Sequence, residues 1–391
     1  MSSAISAQPK DTCSSSLPPP RLEAAQSVND TARILAGLPV ESSSLLYATS
    51  QTKSWQHYAA QLERSFSTLE ERELKSLRLW AEQELDASSA SFGPVFYPFS
   101  GPDLVYLLKL FPNAQSYVLT GLEPVGNFPD LTAIDVPALD RRLRALSGTL
   151  YALLEFSFFR TNDMTANLKG QQVAGVLPVL MLFLERMDRQ ILAVDRFVLS
   201  AEGLWCKTTA ADGRERALGA NDLAGVRIHF IKRGEKQVRH LIYFQADIGN
   251  PGLKRTPQYA DFIDALAPKA AMLKAASYLQ HKDYFSEIAA LTMRHAELLV
   301  QDDSGIPHRK FSSQDWQATA FGSYSKPIPL FANWFQRDLL KLYQLQKPRA
   351  LDFSFGYTHR NSGLVRYQRI SKPTIDPPGP IDSKTEGKEA K

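Results

Sequence analysis

Apolar positions recur at three- and four-residue spacing through residues 54–85, "SWQHYAAQLERSFSTLEERELKSLRLWAEQEL", and "LEAAQSVNDTARILAGLP" before it closes on a Gly-Leu-Pro stop. The spacing predicts a layer of amphipathic helices over residues 21–90. The pattern then changes. Val95 to Phe99 forms a short apolar run, Ser-Gly-Pro-Asp breaks it, a helix follows Pro102, and "SYVLTGLEPVG" reads as a second strand from Ser116 to Gly126. A β-α-β unit of this kind predicts parallel strands. "DVPALDRRLRALSGTLYALLEFSFF" places Leu139, Leu143, Leu146, Leu150 and Leu153 on one stripe and predicts a further helix, with Arg141, Arg142 and Arg144 on its wet face.

"VAGVLPVLMLFL", Val173 to Leu184, is apolar all round but shorter than the roughly 20 residues a membrane span needs, so it predicts a buried core helix containing Pro178. From Gln190 to Asp247 the period becomes two, and "QILAVDRFVLS", "GVRIHFIKRG" and "RHLIYFQAD" predict an antiparallel meander. Tyr259 to Leu298 reads as a helical run broken near Pro268 and Lys282. "PLFANWFQRDLLKLYQL" reads as a helix, and "ALDFSFGY" and "GLVRYQRI" as a hairpin around "THRNS". The fold class expected is α/β in the mixed α+β sense: a mixed sheet flanked by helices. The body spans residues 91–371, between tails at 1–20 and 372–391 whose Ser, Pro, Gly and Lys content cannot offset the entropy of ordering.

Composition narrows the function classes. In 391 residues, 44% hydrophobic content supports a sizeable core, and a net charge of +4, partly in the tails, leaves no electrostatic footprint for nucleic acid. Cys13 and Cys206 cannot form a disulfide framework or a thiolate zinc site. The first residues lack a basic region followed by an apolar run, so a cytoplasmic location is the default expectation, with export requiring a signal that precedes the given start. No transmembrane segment is expected.

Two polar loops carry the chemistry. Ser100, Gly101 and Asp103 follow a strand and open a helix, and Glu123 lies twenty-two positions after Gly101, near the spacing at which an acid meets a ribose hydroxyl in dinucleotide-binding units. One glycine stands where the usual fingerprint has three. The alternative is a strand-to-helix turn capped by Ser100 and Asp103. In "QDDSGIPHRKF", Asp302, Asp303, Ser304 and His308 are candidates for acid/base work, and Asp103, Glu123 and Asp302 for a divalent cation. Adjacent acids on an extended segment point opposite ways, which favours a turn with Asp303 accepting backbone N–H bonds. The seven histidines show no His-x-x-x-His or Glu-x-x-His pairing, no G-x-S-x-G occurs, and Cys206 reads as a small buried side chain. Tyr97, Phe99, Phe158, Phe159, Tyr278, Tyr324, Phe355 and Tyr357 flank polar turns and either wall a pocket or close the core.

The blocks "FYPFSGPD", "YVLTGLEPVG", "SFFRTNDM", "LKAASYLQH", "QDDSGIP", "FGSYSKPI" and "FGY", in order from Phe96 to Tyr357, resemble a family of bacterial proteins that carries no assigned activity or ligand. The resemblance implies a bacterial domain and transfers no mechanism; some members look exported. Its emphasis falls on turns, which yields a sharp expectation: the SGPD, GLEPVG and QDDSG loops converge on one acidic pocket beyond the carboxyl ends of parallel strands. The function expected is that of an enzyme or a binder of a small molecule or metal. The alternative is a non-enzymatic interaction or envelope-associated structural protein that meets its partner through the N-terminal helices.

Overall fold

The computed structural model describes residues 10–11, 22–85, 92–132, 143, 175–206, 218–358 and 362–370. Its strands are β1 (Lys10–Asp11), β2 (Pro94–Tyr97), β3 (Ser116–Gly121), β4 (Arg189–Ser200), β5 (Gly203–Cys206), β6 (Leu223–Lys232), β7 (Val238–Gln245), β8 (Ala270–Leu273), β9 (Leu298–Gln301), β10 (Trp316–Gly322) and β11 (Gly363–Arg369). They form one mixed sheet in the order β1-β5-β4-β6-β7-β3-β2-β8-β9-β11-β10. The helices used below are α1 (Leu22–Leu35), α2 (Lys53–Leu69), α3 (Lys75–Glu84), α4 (Val105–Leu110), α5 (Leu177–Arg186), α6 (Asn250–Arg255), α7 (Pro257–Leu266), α8 (Ser286–His295) and α9 (Arg337–Gln346).

The centre of the sheet is parallel: β7, β3, β2, β8 and β9 run the same way. Its far edge is the antiparallel pair β10–β11, in which β11 is antiparallel to both neighbours. On the other side, β4, β5, β6 and β7 form the antiparallel meander, which joins the parallel strands through β7. Strand periodicity sorts the side chains into two layers. Val95, Tyr97, Tyr117, Leu119, Leu241 and Tyr243 face a core built with α1 to α5. Phe96, Val118, Ile242 and Phe244 face a second core built with α6, α7 and α8. With both faces covered, β2 and β3 are buried almost throughout, as parallel strands require.

The N-terminal helices belong to the first core. Thr52 caps α2 by accepting the Trp55 N–H, and α2 continues through a π-helical turn, Glu70–Leu74, into α3. Their apolar stripe, including Trp55, Tyr58, Leu62, Phe66 and Leu77, is buried. Pro178 lies in α5 as expected, in its first turn, where a missing N–H costs nothing. The helix predicted over 135–159 and the "SFFRTNDM" block lie outside the described residues, apart from the buried Leu143.

Three expectations need correction. The helical run from Tyr259 stops at Leu266, and Ala270–Leu273 is a fully buried central strand. Its Ala, Met and Leu favour helix locally, but pairing with β2 and β9 and burial of both faces override that weak preference. The partner of β11 is β10, which the sequence reading missed; residues 351–357 form no strand beyond a single Phe355–Thr358 bridge. The segment after Pro329 is a short 3-10 helix, Pro329–Trp334, separated from α9 by Phe335 and Gln336.

Candidate functional site

The chain leaves β2 towards β3 and β7 on one side of the sheet, while β8 and β9 lie on the other. Loops from β2 and β8 therefore diverge, and a crevice opens beyond their carboxyl ends. A cavity of about 740 Å³ occupies it, lined among others by Ser100, Gly101, Asp103, Thr120, Glu123, Asp247 and Lys274.

The SGPD turn is docked on the end of β3. Ser100 Oγ donates to the Thr120 carbonyl (3.2 Å) and accepts the Thr120 N–H (3.0 Å), and Gly101 N–H reaches the same carbonyl (3.2 Å). Neither Ser100 nor Asp103 caps the helix as predicted: α4 starts at Val105 with no side-chain cap, because both side chains are engaged across the sheet. Phe99 (φ 59°) and Gly101 (φ 50°) adopt left-handed backbone, which Phe99 does at a steric cost.

Close contact requires glycine at Gly121. A Cβ there would lie 2.2 Å from Glu123 Oε2 and 3.0 Å from Gly101 Cα, whereas one on Gly101 would meet Glu123 Oε1 at an ordinary 3.4 Å. The two loops thus hold the Glu123 carboxylate beside Gly101. Glu123 is buried, Tyr243 Oη donates to its carbonyl (2.9 Å) and Oε2 (3.3 Å), and no ion pair neutralises it among the described residues. Burial first, then the Glu123 charge, holds the Tyr243 phenol well above its usual pKa, so it remains a donor.

Asp103 forms a second polar centre, next to β8. Its Oδ2 accepts from Lys274 Nζ (2.8 Å) and Tyr97 Oη (2.9 Å); the ammonium also lies 3.7 Å from the centre of the Tyr106 ring. Asp103 Oδ1 is buried and has no hydrogen-bond partner among the described residues. Burial, followed by the Asp103 charge, pushes the Tyr97 phenol up and keeps it protonated.

After Lys274 the chain makes a turn with Ala275 (φ 51°), Ser277 (φ 52°) and Tyr278 (φ 52°) all in left-handed conformation. Such strain, of order 1–3 kcal/mol per residue, persists only where surroundings fix it. Here Ala275 N–H donates to Asp302 Oδ2 (3.0 Å), Ala276 N–H to Ser304 Oγ (2.7 Å) and Ser277 N–H to Tyr357 Oη (3.0 Å). The Tyr357 hydroxyl donates to the Ala275 carbonyl (2.7 Å).

The candidates separate accordingly. Ser100, Gly101, Asp103 and Glu123 line one cavity; the QDDSG loop adds no lining residue to it and acts by fixing the turn that does. Asp302, and not Asp303, accepts the backbone N–H bonds, with Ser304 N–H and Oγ also on its Oδ1 (3.1 and 2.5 Å). Asp303 points the other way, accepts from Tyr278 Oη and lines a second cavity of about 240 Å³ with Tyr324 and Lys326. Burial, reinforced at Asp302 by the Asp303 charge, raises both carboxyls above their usual range. His308 pairs with Tyr367 (2.9 Å) and joins neither acid.

Among the described residues, no group of three or more His, Cys, Asp or Glu side chains is placed to hold a metal ion, and no helix is long and apolar enough to cross a membrane. Lys274 escaped the sequence reading because its segment looked helical; a four-residue apolar run ending in a charged residue was its only local signal. No known family, curated protein or solved structure matches the chain.

Proposed function

We propose that the protein binds a ribose-bearing cation without a phosphate chain, of the S-adenosylmethionine class, and uses it for methyl transfer. The observation that carries this reading is the Glu123 carboxylate, held against Gly101 at the switch point of a parallel sheet with no cation paired to it among the described residues. A carboxylate so placed suits the two hydroxyls of a ribose. Its uncompensated charge in a cavity favours a positively charged ligand.

Features around it weigh against a pyrophosphate. A single glycine replaces the usual glycine-rich loop, and α4 is only six residues long, so its dipole offers a phosphate little. Nucleosides with phosphate chains lose their main anchor, whereas an adenosyl sulfonium needs none. The order β7-β3-β2-β8-β9-β11-β10 with β11 reversed is also that of S-adenosylmethionine-dependent methyltransferases, an analogy of fold alone. Such a ligand supplies a methyl group that an acceptor lone pair attacks while the carbon–sulfur bond breaks, leaving a neutral thioether, with the acceptor proton passing to solvent.

Isothermal titration with S-adenosylhomocysteine, S-adenosylmethionine, ATP and NAD tests this. The two adenosyl thio-compounds are expected to bind, ATP and NAD at least tenfold more weakly, and Glu123→Gln to lower adenosyl affinity about tenfold, the loss of one charged hydrogen bond. Preference for ATP or NAD, or indifference to Glu123→Gln, overturns it.

A further inference from the structure

Asp103 leaves a buried carboxylate oxygen unpaired among the described residues, in a cavity that five aromatic side chains help to line. Oδ2 is saturated by Lys274 and Tyr97, yet Oδ1 has no partner, although Asp103 is only 3% exposed. An unpaired buried acceptor costs about 1–3 kcal/mol, and a native protein retains one where something else completes it. Asp103 is one of the residues that line the cavity, so a ligand held there can supply the donor.

This centre is separate from the one at Glu123. Glu123 lies at the end of β3 against Tyr243 of β7, whereas Asp103 is tied to Lys274 at the end of β8. Two strand spacings, roughly 10 Å, part β3 from β8. Aromatic rings line another part of the same cavity. Phe99 and Phe285 meet edge to face (5.5 Å between ring centres), and Phe331 and Tyr357 form a second pair (5.2 Å). All four are half-buried, so each keeps surface for a ligand. A hydroxyl or an amine would satisfy Oδ1, and the carboxylate makes a charge-assisted bond to either; the ring faces, which attract cations, favour the amine.

We infer that the β8 end of the cavity is a second ligand site, selective for an aromatic primary amine whose ammonium donates to Asp103 Oδ1 and whose ring packs against Phe331 and Tyr357. The inference rests on the nucleoside reading only in taking this molecule to be the second ligand beside the adenosyl compound.

Benzylamine, benzyl alcohol and benzoate serve as probes, titrated by ligand-observed NMR into the full-length protein with and without S-adenosylhomocysteine. Benzylamine is expected to bind at least tenfold more tightly than either neutral or anionic analogue, and to bind in the presence of S-adenosylhomocysteine. Asp103→Asn should remove that preference, and Phe331→Ala, which makes none of the site's hydrogen bonds, should weaken benzylamine about fivefold. Equal binding of benzylamine and benzyl alcohol overturns the inference without reference to any variant, as does competition by S-adenosylhomocysteine. Benzylamine selectivity in a protein that binds no adenosyl compound sustains this site and overturns the nucleoside reading alone.

Discussion

Lys274 and Asp103 show how a single pair of residues is tied to its setting. Both side chains are almost wholly buried, at 0% and 4% exposure, and each is the other's only opposite charge within ion-pair distance among the described residues. Desolvating two ions is repaid only while both are present. Lys274→Met leaves Asp103 charged or forced to take up a proton, and is expected to lower stability by about 3–5 kcal/mol in urea denaturation. The double variant Lys274→Met, Asp103→Leu removes both charges and should recover most of that loss, because apolar side chains of similar volume can replace a buried pair. A single variant within about 1 kcal/mol of wild type would show that water reaches the pair and that the site is open deeper than its geometry indicates.

At the scale of elements, the strained turn after β8 turns one substitution into a signed test. Ala275 is held at φ 51°, whereas its neighbour Ala276 is buried, packs in the third core cluster and has no positive φ. Glycine relieves left-handed strain of roughly 1–2 kcal/mol at the first position, against an unfolded-state cost of about 0.5–1 kcal/mol. At Ala276 only the cost applies. Ala275→Gly is therefore expected to raise the melting temperature slightly or leave it unchanged, and Ala276→Gly to lower it; equal losses would mean the turn is not strained. The same turn marks where the sequence stops being legible. The meander, β2, β3 and the N-terminal helices follow from periodicity within each segment, and Gly101 with Glu123 from spacing along one β-α-β unit. β8 is defined only by the strands beside it, and β10 by its partner β11 some forty residues later. The Asp103–Lys274 contact spans the sheet, so no local pattern announces either the pair or the unpaired oxygen it leaves.

For the whole molecule, the question is whether the helices before β2 are an attached module or part of the fold that supports the cavity. Trp55, Tyr58, Leu62, Phe66, Leu69, Leu77 and Trp80 belong to the same core cluster as Val95, Tyr97 and Tyr117 of the parallel strands. Trp80 packs edge to face on Phe321 of β10 (5.1 Å) and Phe66 against Phe183 of α5 (6.3 Å). Polar ties run the same way: the Glu73 carboxylate accepts Ser354 N–H, Arg366 donates to Glu84 (3.0 Å), and Arg186 to both Glu63 and the Ala36 carbonyl (2.6 Å each). Each large apolar side chain contributes about 1.5–3 kcal/mol on burial, so their sum is comparable to the whole 5–15 kcal/mol that a domain of ordinary stability has to lose. Removing residues 1–90 also strips cover from the face of β2 that carries Tyr97, and hence from one wall of the Asp103 centre. The fragment 91–391 is expected to lack near-ultraviolet circular dichroism, to bind the dye ANS and to show no cooperative melting. A fragment that melts cooperatively and still binds benzylamine would make the helical layer a separable module and return to it the role of meeting a partner.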